Sequence, residues 1–196
     1  MHHAYLWRDL VMGQSGDRLI NLFGAVSQGV SDRVRVAISD AFPVGGEAAA
    51  ALIVIGHNPG MSIEQISRIL RLSHAGTVRL VKRLASQNLV AKTPSSSDRR
   101  MACVILTPAG EVQCAELLTV RNRAVAELLE GVPGPDCAAL ERIAQSVLIS
   151  LFEQIAPGEL SACRFCDQRH CKDCPMKPRR GSFPSHPSGR NPIHHR

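Results

Sequence analysis

The spacing of apolar residues along the chain predicts a mainly helical protein. Between Asp17 and Phe42, apolar residues recur every three or four positions, as on one face of a single long amphipathic helix: Leu19, Ile20, Leu22, Phe23, Val26, Val30, Val34 and Ile38. Residues 137–156 repeat that period near the C-terminus. Residues 47–56 are almost all apolar and predict a short helix buried on every side. The two long stripes each need a packing partner.

Two short capped helices are predicted between these segments. Ser62 and Gln65 have the spacing of a capping box, which begins a helix that Leu72 closes. Ser73 caps the next helix. On that helix we expect three apolar side chains to face inward (Val78, Val81 and Leu84) and five polar ones to face outward (His74, Thr77, Arg79, Lys82 and Arg83).

A β-hairpin is predicted next. The runs 89–93 and 101–107 are rich in β-forming residues and flank a polar loop from Pro94 to Arg100. Thr107 then caps a helix with Pro108 at its first position, which continues to Glu130. Residues 131–135 break it before the last helix. This order predicts a mainly α fold with a small β wing: a winged helix-turn-helix with long additional helices.

Charge is concentrated on the predicted helix-turn-helix and wing. Residues 68–100 hold eight lysines and arginines against one acid, Asp98, whereas the rest of residues 1–162 hold seven bases and fourteen acids. An acidic body with one basic face is typical of a protein that docks on a polyanion in one orientation. The net charge of +6 and the pI of about 9.2 arise in residues 163–196, so they are less informative about a docking face than the local charge of residues 68–100.

Other classes of protein have little support. We find no secretory signal and no run of eighteen apolar residues, which favours a cytoplasmic protein. The sequence contains no glycine-rich phosphate loop, no nucleophile elbow and no helical pair of histidines flanking a glutamate. We therefore expect that the protein is not an enzyme.

Four of the seven cysteines form a C-x2-C-x4-C-x2-C motif: Cys163, Cys166, Cys171 and Cys174. Four thiolates suit tetrahedral zinc or an iron–sulfur cluster. The two pairs are closer than the roughly 12 to 20 residues usual in zinc sites, and four thiols that bind nothing are the alternative. Nearby Arg164, Arg169 and Lys172 would lower the thiol pKa values, which suggests a redox input. The remaining Cys103, Cys114 and Cys137 occupy apolar or helical positions and are expected in the core.

The most specific motif is Asp98-Arg99-Arg100, followed six residues later by Leu106-Thr107 and then by Gly110. Over residues 15–156, this order of elements resembles the MarR family of transcriptional regulators. The resemblance implies that the first helix and the last two form a homodimer, and that paired recognition helices enter successive major grooves of a pseudo-palindromic operator in double-stranded DNA. It also implies that Asp98 orients the wing through an ion pair and that Arg100 inserts into the minor groove, a role that Arg99 could share.

These observations predict a sequence-specific DNA-binding regulator, a repressor that responds to a small-molecule effector, a metal or an oxidant. The alternative is a metal or redox protein whose winged helix serves only dimerisation. On the recognition helix we expect bases or phosphates to be met by Ser73, His74, Gly76 and Thr77, and the DNA backbone by Arg79, Lys82 and Arg83.

The predicted organisation has four parts. Residues 1–16 are an N-terminal extension. Residues 17–156 form the winged-helix domain, with the DNA reader at 62–107 and dimerisation helices at 17–42 and 108–156. Residues 157–176 are the cysteine cluster. Residues 177–196 form a basic tail whose Pro, Gly, Ser, Arg and His composition predicts disorder.

Overall fold

The computed structural model describes residues 14–42, 44–94, 102–153 and 164–170 of the 196-residue chain. The predicted fold class is confirmed, since six helices and a small antiparallel sheet account for most of the described residues. The helices are α1 (Gln14–Ala41), α2 (Gly46–His57), α3 (Ile63–Leu70), α4 (His74–Ser86), α5 (Pro108–Leu129) and α6 (Gly134–Glu153). The strands are β1 (Met61–Ser62), β2 (Val90–Pro94) and β3 (Ala102–Leu106), and a 3-10 turn spans Gln168–His170.

The sheet has three strands in the order β1-β3-β2. The predicted hairpin is present, with Val90 opposite Leu106 and Lys92 opposite Val104. On the other edge of β3, Met61 pairs with Val104. Strand β1 was not predicted, because two residues are too short to show the alternation of a strand and because Ser62 also caps α3. The sheet therefore ties the start of α3 to the hairpin.

Helix α2 is the centre of the core. All eight residues from Ala48 to Ile55 are buried, which confirms the prediction of a helix enclosed on every side. It contacts α1, α3, α5 and β3. Because four of its buried side chains are alanines, these neighbours can approach its backbone closely. Helix α2 thus joins the long helices to the reader.

Helices α1 and α5 pack along each other, and Arg33 Nη2 lies 2.5 Å from Glu127 Oε2 between them. Only the C-terminal half of α1 is buried in the core, at Val34 and Ile38. The N-terminal half leaves the predicted apolar stripe in solvent, with exposed fractions between 43% and 61%: Leu19, Ile20, Leu22, Phe23 and Val26. The stripe on α1 therefore has no covering partner among the described residues.

Helix α6 makes no extensive contact with any other described element of its own chain. Its apolar side chains Leu140, Ile143, Ile149 and Leu151 are exposed. The helix begins at Gly134, three residues before the predicted start, because Pro135 falls in the first turn, where a helix tolerates the missing N–H group of proline. A long amphipathic helix that projects in this way is unusual in an isolated chain.

Within the described residues, no single helix is long and apolar enough to cross a membrane. Helices α1 and α2 reach the length and apolar content of such a helix only together, and their axes are bent by 93° relative to each other.

Candidate nucleic-acid interface

The helix-turn-helix is fixed by two caps and one left-handed residue. Ser62 Oγ accepts from Gln65 N at 3.2 Å while Gln65 Oε1 accepts from Ser62 N at 2.8 Å, so the predicted capping box is present. Helix α3 ends at Arg71, whose φ of 54° is left-handed. That conformation is uncommon for a residue with a side chain and turns the backbone sharply away from the helix axis. The chain then enters α4 through Ser73.

The N-terminus of α4 is closed by Ser73, as predicted. Ser73 Oγ accepts from Gly76 N at 3.1 Å. A Cβ atom added at Gly76 would lie 3.1 Å from that same Oγ, a tighter approach than side chains usually make. Gly76 lowers helix propensity by about 1 kcal/mol relative to alanine, and the close cap supplies a reason for it. The hydroxyl of Ser73 is therefore committed to the cap.

Thr77 does not face outward, so the prediction of its orientation is wrong. Its side chain is completely buried, and Thr77 Oγ1 donates to Ser73 O at 3.1 Å. The hydroxyl satisfies its hydrogen bond within the helix, which lets the methyl group pack with the inward face. In this conformation Thr77 can support the first turn of α4 but cannot contact DNA through its side chain.

The outer face of α4 carries positive charge that nothing in the described part of the chain neutralises. Arg79, Lys82 and Arg83 are exposed as predicted, and none of them forms an ion pair with a described residue. His74 is also exposed, and its Nδ1 lies 3.7 Å from Glu64 Oε2, on a carboxylate whose Oε1 is 3.0 Å from Arg68 Nη2. Together, the charges of Arg79, Lys82 and Arg83 on one face of α4 produce a local positive potential suited to phosphates.

The hairpin supplies the flank of this face. Lys92 is exposed on β2, the strand that leads to the wing tip. The tip residues Asp98, Arg99 and Arg100 lie outside the described part of the chain. Inward-facing Val90 and Val104 hold the strands on the core. The base of the wing is thus fixed beside α4.

Gly110 sets the distance between α5 and the reader. Thr107 Oγ1 accepts from Gly110 N at 3.1 Å, so the predicted cap is present. A Cβ atom at Gly110 would lie only 1.9 Å from the carbonyl oxygen of Leu89, which also accepts from Thr107 N at 3.1 Å. Only glycine allows α5 to start this close to the turn between α4 and β2.

Residues 164–170, which we call the docked segment, lie against the body of the protein. Asp167 is buried; its carboxylate accepts from Asn122 Nδ2 on α5 at 2.9 Å and from Arg169 Nη2 at 2.7 Å. These hydrogen bonds, led by those from Arg169, hold the pKa of Asp167 well below its usual range. His57 Nε2, at the end of α2, donates to Cys166 O at 2.8 Å. No sequence pattern predicted this docking.

The structure describes one of the four motif cysteines, Cys166, while Cys163, Cys171 and Cys174 lie outside the described residues. Among the described residues, no group of three or more His, Cys, Asp or Glu side chains could hold a metal ion. Cys114 is buried, as predicted, and burial raises its pKa to about 11. Cys103 and Cys137 are only half-buried.

Comparison with known proteins identifies the architecture. Residues 42–101, from the end of α1 to the wing, match the MarR family. A MarR family protein from Bacillus stearothermophilus superposes with a TM-score of 0.63 at 20% identity, over 71% of this chain and 96% of that chain. The chain has the MarR winged-helix fold.

Two further structures show the same likeness to the MarR fold. Streptococcus pneumoniae FabT, solved in complex with DNA, has a TM-score of 0.60 at 16% identity, over 71% of this chain and 99% of that chain. Wild-type MarR from E. coli, in its apo form, has a TM-score of 0.55 at 19% identity, over 64% of this chain and 96% of that chain. No curated protein matches the sequence. The structural likeness establishes the fold.

Proposed function

We propose that this chain is a sequence-specific DNA-binding transcriptional regulator that acts as a homodimer in the cytoplasm. The observation that supports this best is the outer face of α4, where Arg79, Lys82 and Arg83 have no acidic partner among the described residues and lie beside the base of the wing. The shared fold adds support, because FabT was solved in complex with DNA.

The proposed contacts divide by chemistry. His74 and the backbone at Gly76 lie at the N-terminal end of α4, where bases or phosphates would be met, and Ser73 holds that end in shape. Arg79, Lys82 and Arg83 would neutralise phosphates. In the wing, Asp98 would orient the tip, and Arg100 and Arg99 would enter the minor groove, which favours arginine where it is narrow.

The homodimer is proposed from α1 and α6. Both helices expose an apolar stripe, and α6 has no extensive packing on the described part of its own chain. Exposing two such stripes would be costly, since each Å² of apolar surface removed from water is worth about 25 cal/mol. A second copy of the chain would cover both through a two-fold interface, and two readers would then face a pseudo-palindromic site.

DNA binding is tested by fluorescence anisotropy on a duplex selected by the protein and on a scrambled duplex. We expect Arg100→Ala to weaken binding to both. For the double variant Lys82→Gln/Arg83→Gln, the slope of log affinity against log salt should become shallower by about 0.9 for each phosphate that is no longer neutralised.

Arg123→Gln is the matched control, because Arg123 lies on α5, away from the reader. Variants at α4 and the wing that bind DNA as the unaltered chain does would remove this function. They would leave the alternative of a metal or redox protein whose winged helix only dimerises.

We further propose that the regulator is a repressor with a chemical input, and that Cys163, Cys166, Cys171 and Cys174 bind zinc or an iron–sulfur cluster. In support, the docked segment attaches the region of Cys166 to α2 and α5, so a change at the cysteines would reach the body of the protein. Four thiolates are a donor set that suits either metal centre.

Metal and sulfide content, with an absorption spectrum, on protein purified without oxygen tests the cysteine proposal. Iron with sulfide and a visible band indicates a cluster, and stoichiometric zinc indicates a structural site. Protein without metal would overturn the proposal. DNA affinity that peroxide and a chelator both leave unchanged would exclude the cysteines as the input.

A further inference from the structure

A cavity of about 670 Å³ is lined by residues of α1, the start of α2, the turn after α3, α5, α6 and the docked segment. Its wall has an uneven composition. Four arginines line it, from four different parts of the chain, against a single acid, Glu47: Arg35, Arg71, Arg121 and Arg164. Apolar side chains of Val30, Val34, Leu151 and Phe165 form much of the remaining surface. The lining therefore combines strongly cationic groups with apolar ones.

The four arginines differ in what they already bind. Arg35 Nη2 lies 2.7 Å from Asp32 Oδ1, one turn away on α1. Arg71, Arg121 and Arg164 form no ion pair with any described carboxylate. Arginine cannot lose its charge at physiological pH. The cavity thus retains at least two positive charges beyond what Glu47 could neutralise.

Arg121 brings a guanidinium whose hydrogen bonds are only partly satisfied to the lining of the cavity. Its Nη1 donates to Asn122 Oδ1 at 3.0 Å, but its Nε is buried and has no hydrogen-bond partner among the described residues. Buried side-chain donors in folded proteins nearly always have an acceptor. The buried Nε presents no surface to an anion in the cavity, but Arg121 itself lines the cavity, and its guanidinium fork is suited to binding phosphate through two N–H groups at once.

The docked segment makes the site possible. Arg164 lies over the ring of Phe165, with 5.6 Å from its guanidinium carbon to the ring centroid, and Phe165 packs against the core. The carboxylate of Asp167 and the carbonyl of Cys166 attach this segment to α5 and α2. Arg164 and Phe165 are thereby held as one wall of the cavity.

We propose that this cavity binds an organic anion with at least two negative charges and an apolar body, of the phosphate monoester class. The number of arginines without a described carboxylate partner sets the charge of the ligand, and the apolar side chains of Phe165, Val30 and Val34 accommodate its body. The proposed binding site is argued from these contacts and does not depend on the proposed function. Only its role as the effector site of a DNA-binding regulator rests on the proposed function.

Calorimetric titration of the full chain with phenyl phosphate tests the proposal. Inorganic phosphate serves as the probe without an apolar body, and benzyl alcohol as the probe without charge. We expect saturable binding of phenyl phosphate, with affinity reduced tenfold or more in Arg121→Gln and in Arg164→Gln. Arg123→Gln, two residues along α5 and outside the cavity lining, should bind within twofold of the unaltered chain.

The proposal is overturned if phenyl phosphate shows no saturable binding, if benzyl alcohol binds equally well, or if the cavity variants bind as tightly as Arg123→Gln does. Should Arg121→Gln fold poorly, Arg71→Gln and Arg164→Gln decide the matter, because neither side chain is deeply buried. DNA affinity is measured separately. Loss of DNA binding with phenyl phosphate binding intact would remove the regulator and keep the site.

Discussion

Replacing Gly110 by alanine tests how closely α5 approaches the reader. The new Cβ atom would lie 1.9 Å from the carbonyl oxygen of Leu89 and 2.9 Å from its carbon. Ordinary van der Waals contact begins near 3.4 Å, so the two backbones would have to separate by roughly 1.5 Å. Backbone on both sides means that no side-chain rotation can relieve the clash.

The expected destabilisation is about 3 kcal/mol. Overpacking of a tight contact costs typically about 1 to 3 kcal/mol, and a rigid backbone contact belongs at the upper end. The separation would also stretch the hydrogen bond from Thr107 N to Leu89 O, worth about 1 kcal/mol. The higher helix propensity of alanine offsets about 1 kcal/mol of this destabilisation. For a chain of this size, about 3 kcal/mol lowers Tm by about 6 to 12 °C.

The assay is thermal unfolding followed by circular dichroism, at one fixed protein concentration because association would add to the apparent stability. Gly24→Ala is the matched control, since a Cβ there meets nothing within 4 Å and the position lies inside α1. We expect Gly24→Ala to be neutral or slightly stabilising. If Gly110→Ala is as stable as Gly24→Ala, the argument for a close backbone contact is refuted.

Three further predictions concern other parts of the molecule. Asp167→Asn should release the docked segment at neutral pH, and the readout is faster hydrogen exchange in residues 164–170. In the unaltered chain the pKa of Asp167 is lowered by folding. The segment should therefore keep its protection above about pH 4 and lose it only as acid protonates the carboxylate. Cys114 should resist alkylation in the native protein at about pH 8, since burial raises its pKa to about 11, and mass spectrometry after labelling with and without denaturant measures this. Arg71→Gly should change the free energy of unfolding by no more than about 1 kcal/mol, because glycine accepts the left-handed φ, while phenyl phosphate affinity falls fivefold or more.

Much of the fold followed from local signals. The capping box at Ser62, the cap at Ser73 and the Thr107-Pro108 helix start each depend on residues three or four apart, and all three are present. The burial of α2 followed from its lack of polar positions. These features are encoded within single elements, which is why they can be recognised without a tertiary structure.

The features that were missed have two different causes. Thr77 has the same spacing as the inward residues Val81 and Leu84, and its polarity alone favoured an outward position; the hydrogen bond to Ser73 O satisfies its hydroxyl and allows the side chain to be buried. The arginines of the cavity come from α1, α5, the turn after α3 and the docked segment, so no local pattern groups them. The DNA contacts of the wing and the metal chemistry of the four cysteines stay predictions.

The enclosure of α2 has a mechanical consequence. A helix with eight consecutive buried residues has no side on which a side chain can swing into solvent, and close-packed interiors compress very little. A shift of α1 or α5 by a fraction of an ångström would therefore not be absorbed at α2 but would pass on to α3 and β3, which it also contacts. Helix α2 is in this sense an incompressible spacer, and the orientation of the basic helix α4 is set as much by the long helices behind it as by its own sequence.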